Sequence, residues 1–282
     1  MKKLWMLCAL FAVLLLAACG DKEEASTTEE TEPTTIETNK DAEKVTLRVA
    51  SLIPPMTDIV DIAKNILAEE GIDVELVVLG DNVQPNAALA AGEVDANVFQ
   101  HQPFMTEYNK ANGSNLVAIQ PIYYPNFSIY AKNYDTWDDV PTGASVAIAN
   151  DASNIDRTLQ LLQQNEVIQL GEKKDTYYSL KDIVENPKEL TFKEVDLLML
   201  ARMYDEADAV AMYPAYAAPL GLTPGNDALL QELPGNDFAI QLVTREDNQD
   251  DEAIQRLKEA LTSEEVRQFL EENFKDTSTP AF

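Results

Sequence analysis

The chain has 282 residues, 45% of them hydrophobic, and its 49 acidic against 21 basic side chains give a formal net charge of −28. That balance excludes nucleic acid as a partner, because binding it needs cationic side chains to neutralise phosphates. It also keeps the body of the protein off anionic lipid and reads as solubility beside a negative membrane, while the length suffices for one large core or two smaller lobes.

Residues 1–19 open with Lys2-Lys3, continue as an apolar run from Leu4 and end in Leu16-Ala17-Ala18-Cys19 before Gly20. This is a charged n-region, an h-region and a small-residue cleavage site. Ending on cysteine, it resembles the lipobox of bacterial lipoproteins, which implies that Cys19 becomes the lipidated, palmitate-bearing first residue of the mature chain. An ordinary signal or a short span is the alternative, although the run is somewhat short for a span of roughly 20 residues. Cys8 leaves with the signal and Cys19 carries lipid, so of the two cysteines neither is left for a disulfide. Residues 20–44, rich in Glu, Thr and Asp, cannot bury enough apolar surface to fold and read as an acidic tether. A flexible segment of about 25 residues spans roughly 25 to 30 Å.

From Val45 onward the pattern alternates. Residues 45–50 read as a strand, and Ile59, Ile62, Ala63, Ile66 and Leu67 share one helical face that Gly71 ends. Residues 74–79 form the next strand, 87–91 a short helix closed by Gly92, and 94–99 a further strand, after which Pro103 opens a helix. This βαβ rhythm predicts a mostly parallel sheet with helices on both faces. Residues 116–122, Tyr123-Tyr124-Pro125 and 129–131 form an extended stretch that crosses into a second α/β unit. That unit takes in strand 146–149, the helix after Ser153, strand 190–195 and the buried-looking 207–212. Residues 238–244 return as a strand, and helices near 253–261 and 264–274 close the chain. Two crossings imply two discontinuous lobes around a cleft: residues 45–124 with 239–282, and residues 125–238.

The most specific stretch runs from Asp81-Asn82-Val83-Gln84-Pro85-Asn86 to Phe99-Gln100-His101-Gln102-Pro103-Phe104 and holds the chain's only histidine. Phe99, His101 and Phe104 fall at a strand-to-helix junction, where α/β sheets present ligand sites. The pattern D-x-V-x-P-N-x-A-L-x-x-G-E-x-D-A-N-x-F-Q-H-x-P-F resembles the signature of the NlpA group of methionine-binding lipoproteins, solute receptors of ABC importers. The resemblance continues through Asn150-Asp151-Ala152-Ser153-Asn154-Ile155-Asp156-Arg157, Asp182-Ile183-Val184-Glu185-Asn186-Pro187-Lys188, Gly221-Leu222-Thr223-Pro224 and Val243-Thr244-Arg245-Glu246-Asp247-Asn248. It implies a type II periplasmic-binding-protein fold, a lipid-anchored monomer on the extracytoplasmic face of a bacterial cell membrane, and an ABC permease as partner. The chain departs from the group at two positions that resemble ligand contacts. Asn82 stands where an aromatic is usual, and Tyr213, in Met212-Tyr213-Pro214-Ala215-Tyr216-Ala217, stands where asparagine is usual.

Ser153-Asn154-Ile155-Asp156 fits an N-terminal capping pattern, which puts Arg157 in or just beyond a first turn, where the macrodipole disfavours a cation. Such an Arg either pairs with a local acid, Asp156 or Asp151, or grips a ligand carboxylate with the free helix N–H groups. The resemblance assigns Arg157 and Asn154 to the carboxylate. It assigns Phe99, His101 and Phe104 to an aromatic pocket, whose rings favour a thioether; core packing is the alternative for both phenylalanines. Asn82, Tyr124 and Tyr213 join the expected ligand contacts, with Tyr123 and Met56 behind them. No metal or cofactor is expected, since no second histidine or free cysteine completes a zinc site. There is no G-x-S-x-G, H-E-x-x-H or P-loop, so a receptor for methionine, a related amino acid or a short methionine peptide is expected over a surface enzyme or an interaction protein.

Overall fold

The computed structural model describes residues 45–282 apart from Pro234; the signal segment and the acidic tether, Cys19 included, lie outside the described residues. The first lobe begins as predicted, with β1 (Val45–Ser51), α1 (Met56–Ala68) and β2 (Ile72–Val78). Met56, Ile59, Val60, Ala63 and Leu67 of α1 are buried, the i, i+3, i+4, i+7 spacing of one helical face. Each large side chain among them contributes about 1.5 to 3 kcal/mol by leaving water. Gly71, at φ 82°, turns the chain back toward β2 in a conformation that only glycine adopts without strain. Then come α2 (Gln84–Ala90), β3 (Ala96–His101), α3 (Gln102–Asn112) and β4 (Leu116–Pro125). α2 starts three residues before the predicted helix because Pro85 suits a first turn.

The second lobe holds β5 (Ser128–Tyr130), β6 (Ser145–Ala149), α4 (Ala152–Gln164), a small hairpin of β7 (Gln169–Leu170) and β8 (Ile183–Glu185), and β9 (Thr191–Val195). It continues through α5 (Leu200–Met203), β10 (Ala209–Met212), α6 (Pro214–Ala217), α7 (Pro224–Asp227) and β11 (Ala228–Gln231). The chain then returns by β12 (Ile240–Arg245), α8 (Glu252–Leu261), α9 (Glu264–Asn273) and β13 (Ser278–Pro280). No helix among the described residues is long and apolar enough to cross a membrane.

The sheets are mixed, where a mostly parallel sheet was predicted. The first has the order β2-β1-β3-β12-β4-β13 and the second β9-β6-β10-β5-β11. In each, three strands are parallel and come from local βαβ units, and a strand arriving from the other lobe inserts antiparallel to both its neighbours. β12 runs against β3 and β4, and β5 against β10 and β11. The physical reason is the crossing itself: a chain that passes directly between lobes, with no crossover helix to reverse it, enters the next sheet in the opposite sense. Both sheets bury apolar cores, one around Val49, Ile59, Leu242 and Leu257 and the other around Ile129, Val146, Ile148 and Leu159. This is the two-lobe periplasmic-binding fold.

Candidate functional site

A cavity of about 680 Å³ opens between the strand ends of the two lobes, a size usual for small-molecule sites. At its floor His101 ends β3 and caps α3: its backbone is extended (φ −87°, ψ 160°) and its Nδ1 accepts the Phe104 N–H at 3.1 Å. That acceptor role puts the ring proton on Nε2, which faces Asn154 Oδ1 at 3.4 Å in the other lobe. Burial, and secondarily the nearby Arg157 charge, push the imidazole pKa down to about 3, so the ring is neutral at ordinary pH. Phe104 stands edge-on to Phe99, with ring centroids 6.1 Å apart, and both line the cavity.

Asn154 is fixed from behind. The N-cap of α4 is Asp151, whose carboxylate accepts the Asn154 N–H at 3.0 Å, the Asn154 Nδ2 at 2.8 Å and the Ser153 hydroxyl at 2.7 Å. The capping pattern read at Ser153 is therefore displaced by two residues, because an aspartate cap satisfies one backbone and two side-chain donors at once. Asn154 Oδ1 then points at the cavity and accepts the Tyr213 hydroxyl at 2.6 Å. Burial raises the Tyr213 pKa, against the lowering effect of Arg157, so this phenol stays a donor. Its ring stacks on His101 with centroids 6.5 Å apart. Asn82 donates to the Tyr216 hydroxyl at 3.3 Å, and both residues line the cavity.

Six of the eight expected contacts, Asn82, Phe99, His101, Phe104, Asn154 and Tyr213, line this cavity, and so do Met56 and Tyr123. Tyr124 does not: side chains alternate along β4, and Tyr123, paired with Ile240, takes the cavity side. Arg157 does not line it either. It is the sixth residue of α4, in the second turn and past the free N–H groups, and it is fully buried. Its partner is neither local acid but Glu232, itself 5% exposed, 75 residues away. Nε sits 3.1 Å from each carboxylate oxygen, and Nη2 pairs with the carboxylate and with the Pro125 carbonyl at 3.2 Å. Phe127, Tyr213 and Phe238 surround the guanidinium with ring centroids 4.7, 5.0 and 4.7 Å from its carbon. Burial works against the charge, but Glu232 and Tyr213 together more than offset it, and the Arg157 pKa lies above its ordinary value. Nη1 is buried with no hydrogen-bond partner.

Sequence reasoning missed Tyr216, Glu232 and Gln100. Only Gln100 carried a local signal, since Phe99-Gln100-His101 is part of the motif; it is locked to Asn86 at 2.7 Å and Asn97 at 3.1 Å, clamping α2 to β3. Among the described residues no three or more His, Cys, Asp or Glu side chains converge as a metal site.

Comparison with known proteins agrees with the two-lobe fold. The NlpA lipoprotein family profile matches residues 47–282. The D-methionine-binding lipoprotein MetQ of Salmonella typhi is 34% identical over 261 residues, 92% of this chain and 90% of that protein. A nutrient-binding protein from Burkholderia cenocepacia, solved bound to methionine, superposes with a TM-score of 0.80 at 32% identity over 84% of this chain and all of its own (100%). A periplasmic substrate-binding protein of an ABC transporter from Coxiella burnetii superposes at 0.79 with 35% identity over 83% and 100%. The family profile spans almost every described residue, and the chain belongs to the NlpA lipoprotein family.

Proposed function

We propose that this protein is the ligand-capturing lipoprotein of an ABC importer, held as a monomer on the extracytoplasmic face of the membrane through lipid on Cys19. It delivers methionine or a closely related methionine-containing solute to a membrane permease. The family is one of transporter substrate-binding proteins, so the chemistry is binding and release, with no bond made or broken. The observation that carries the reading is the interlobe cavity, which ends in the aromatic pair Phe99 and Phe104 beside the hydrogen-bonding cluster His101, Asn154 and Tyr213. A thioether side chain gains about 0.3 to 1.5 kcal/mol from each such ring contact, and the cluster takes the ligand's polar end.

A second reading keeps Arg157 as a direct grip on a ligand carboxylate, and its free Nη1 favours it. That grip requires the Tyr213 ring to move aside.

Calorimetry with L-methionine, D-methionine and methionine dipeptides tests the ligand class, together with mass spectrometry of what denatured protein releases. At least one of the three is expected to bind with a one-to-one stoichiometry. Binding of an unrelated solute with none of these would reject methionine and keep the receptor. For the anchor, Cys19→Ala is expected to abolish lipid labelling and shift the protein out of the membrane fraction; unchanged membrane retention would remove Cys19 from that role.

A further inference from the structure

Away from the two crossings, hydrogen bonds join the lobes at three places among the described residues. Two of them belong to the cavity wall, Asn82 with Tyr216 and His101 with Asn154. The third does not: the Tyr177 hydroxyl of the second lobe donates to the Pro103 carbonyl of the first at 2.9 Å, and neither residue lines the cavity.

Tyr177 sits in the loop between β7 and β8, residues 171–182, and the loop is anchored right beside it. The carboxylate of Asp156, buried on α4, accepts the Tyr178 N–H at 2.8 Å, the Gln160 amide at 2.9 Å and the Lys173 ammonium at 3.2 Å. The Tyr178 ring packs against the second lobe's core, whereas Tyr177 is half-buried and belongs to none of the apolar cores. Burial first, and then the carboxylates of Glu107, Asp156 and Asp151, push the Tyr177 pKa up to about 12, so the hydroxyl keeps the proton it donates. The acceptor is placed to matter. Pro103 is the second residue of α3, between the cap His101 and Phe104, both of which line the cavity. A bond to its carbonyl holds that segment against the second lobe. When the lobes part, both groups return to water, so the bond exists only in the closed arrangement and must break before a solute leaves.

We propose that Tyr177 is an interlobe latch, a positioning residue that holds the receptor closed from outside the cavity and sets how long a captured solute stays without touching it. The proposal goes beyond the receptor reading and does not depend on which solute is bound. A single neutral hydrogen bond contributes modestly once its exchange with water is counted, so the latch shifts the closed-to-open ratio by about 2- to 10-fold. It acts on release rather than capture, because solute enters the open form, in which the bond is not made.

The test compares wild type, Tyr177→Phe, which removes the hydroxyl and keeps the ring, and the neighbour control Tyr178→Phe. Stopped-flow measurement with L-methionine on the full chain is expected to show release about 2- to 10-fold faster in Tyr177→Phe, with the association rate constant and the urea midpoint unchanged. Tyr178→Phe is expected to release at the wild-type rate. A second measurement needs no ligand: electron–electron resonance between spin labels at Lys110→Cys and Glu194→Cys, both exposed and one on each lobe, reads the open fraction directly. Tyr177→Phe is expected to raise the open-to-closed ratio by the same factor. Wild-type release and an unchanged distance distribution overturn the latch and leave the receptor reading standing, and so does an equal effect of Tyr178→Phe, which would reflect a loosened loop. Absence of L-methionine binding rejects the methionine reading, and the distances then decide the latch alone; a wild type that shows only open distances in that case overturns it as well.

Discussion

Glu232→Ala is expected to lower unfolding stability by about 3 to 5 kcal/mol, because removing one partner of a buried ion pair strands the other charge out of water. Both partners qualify, since the Arg157 side chain is 0% and that of Glu232 5% exposed. The position of the pair raises the stakes. Pro125 and Phe127 lie on the first crossing between lobes, Glu232 and Phe238 on the second, and Arg157 on α4 touches all four. One guanidinium therefore ties both crossings to the second lobe's first helix, and its loss should loosen the seat on which the lobes turn. Arg157→Ala is expected to cost a similar amount, while a paired Arg157→Met, Glu232→Leu change should recover most of it, because an apolar pair of similar volume removes the desolvation penalty as well as the attraction. Urea unfolding of the three variants measures this. Single-variant losses under 1 kcal/mol would mean that water reaches the pair and that the crossings are held by something else.

That this arginine would be buried under the site rather than inside it was not legible in the sequence. Its partner lies in Leu230-Gln231-Glu232-Leu233, where two adjacent polar residues give no period-2 alternation, and nothing local says that Glu232 turns inward. The cap shows the same limit at short range. Asp151 and Ser153 are both good N-cap residues, and the choice falls to Asp151 because Asn154 needs a partner that orients its amide toward the other lobe. Adjacent tyrosines at 123 and 124 offer two strand phases, and only the antiparallel neighbour β12, fixed across the lobe crossing, selects between them. What was legible is whatever depends on nearby residues: the apolar face of α1, the glycine at 71, and the strand-to-helix junction at His101. Sheet order was not, since insertion of β12 and β5 is set by contacts far apart in the chain.

His101 makes a prediction that its uniqueness renders clean, since the sequence has 1 histidine. Its pKa in the folded protein is pushed down to about 3, by burial first and by Arg157 second, from an ordinary value of 6.5. The sign follows from proton uptake. Above pH 6.5 neither the folded nor the unfolded chain protonates this ring, and its contribution to stability is constant. As pH falls below 6.5 the unfolded chain takes up a proton that the folded chain refuses, so stability is lost at about 1.4 kcal/mol per pH unit until the folded value is approached. Between pH 6.5 and 4.5 the histidine share of that loss is about 2 to 3 kcal/mol. Carboxylates titrate toward the lower end of the same range, so the quantity to measure is the difference between wild type and His101→Gln in urea unfolding at each pH. The difference should grow steadily as pH falls, and a flat difference would show that the imidazole protonates in place. Protonation has a structural cost as well: Nδ1 accepts the Phe104 N–H, and a proton there would break the cap that holds Phe104 against Phe99. The folded protein should accordingly show no imidazole titration by NMR from pH 8 to 5, and ligand affinity over that interval should not follow a histidine curve, because the group at the cavity floor stays neutral throughout.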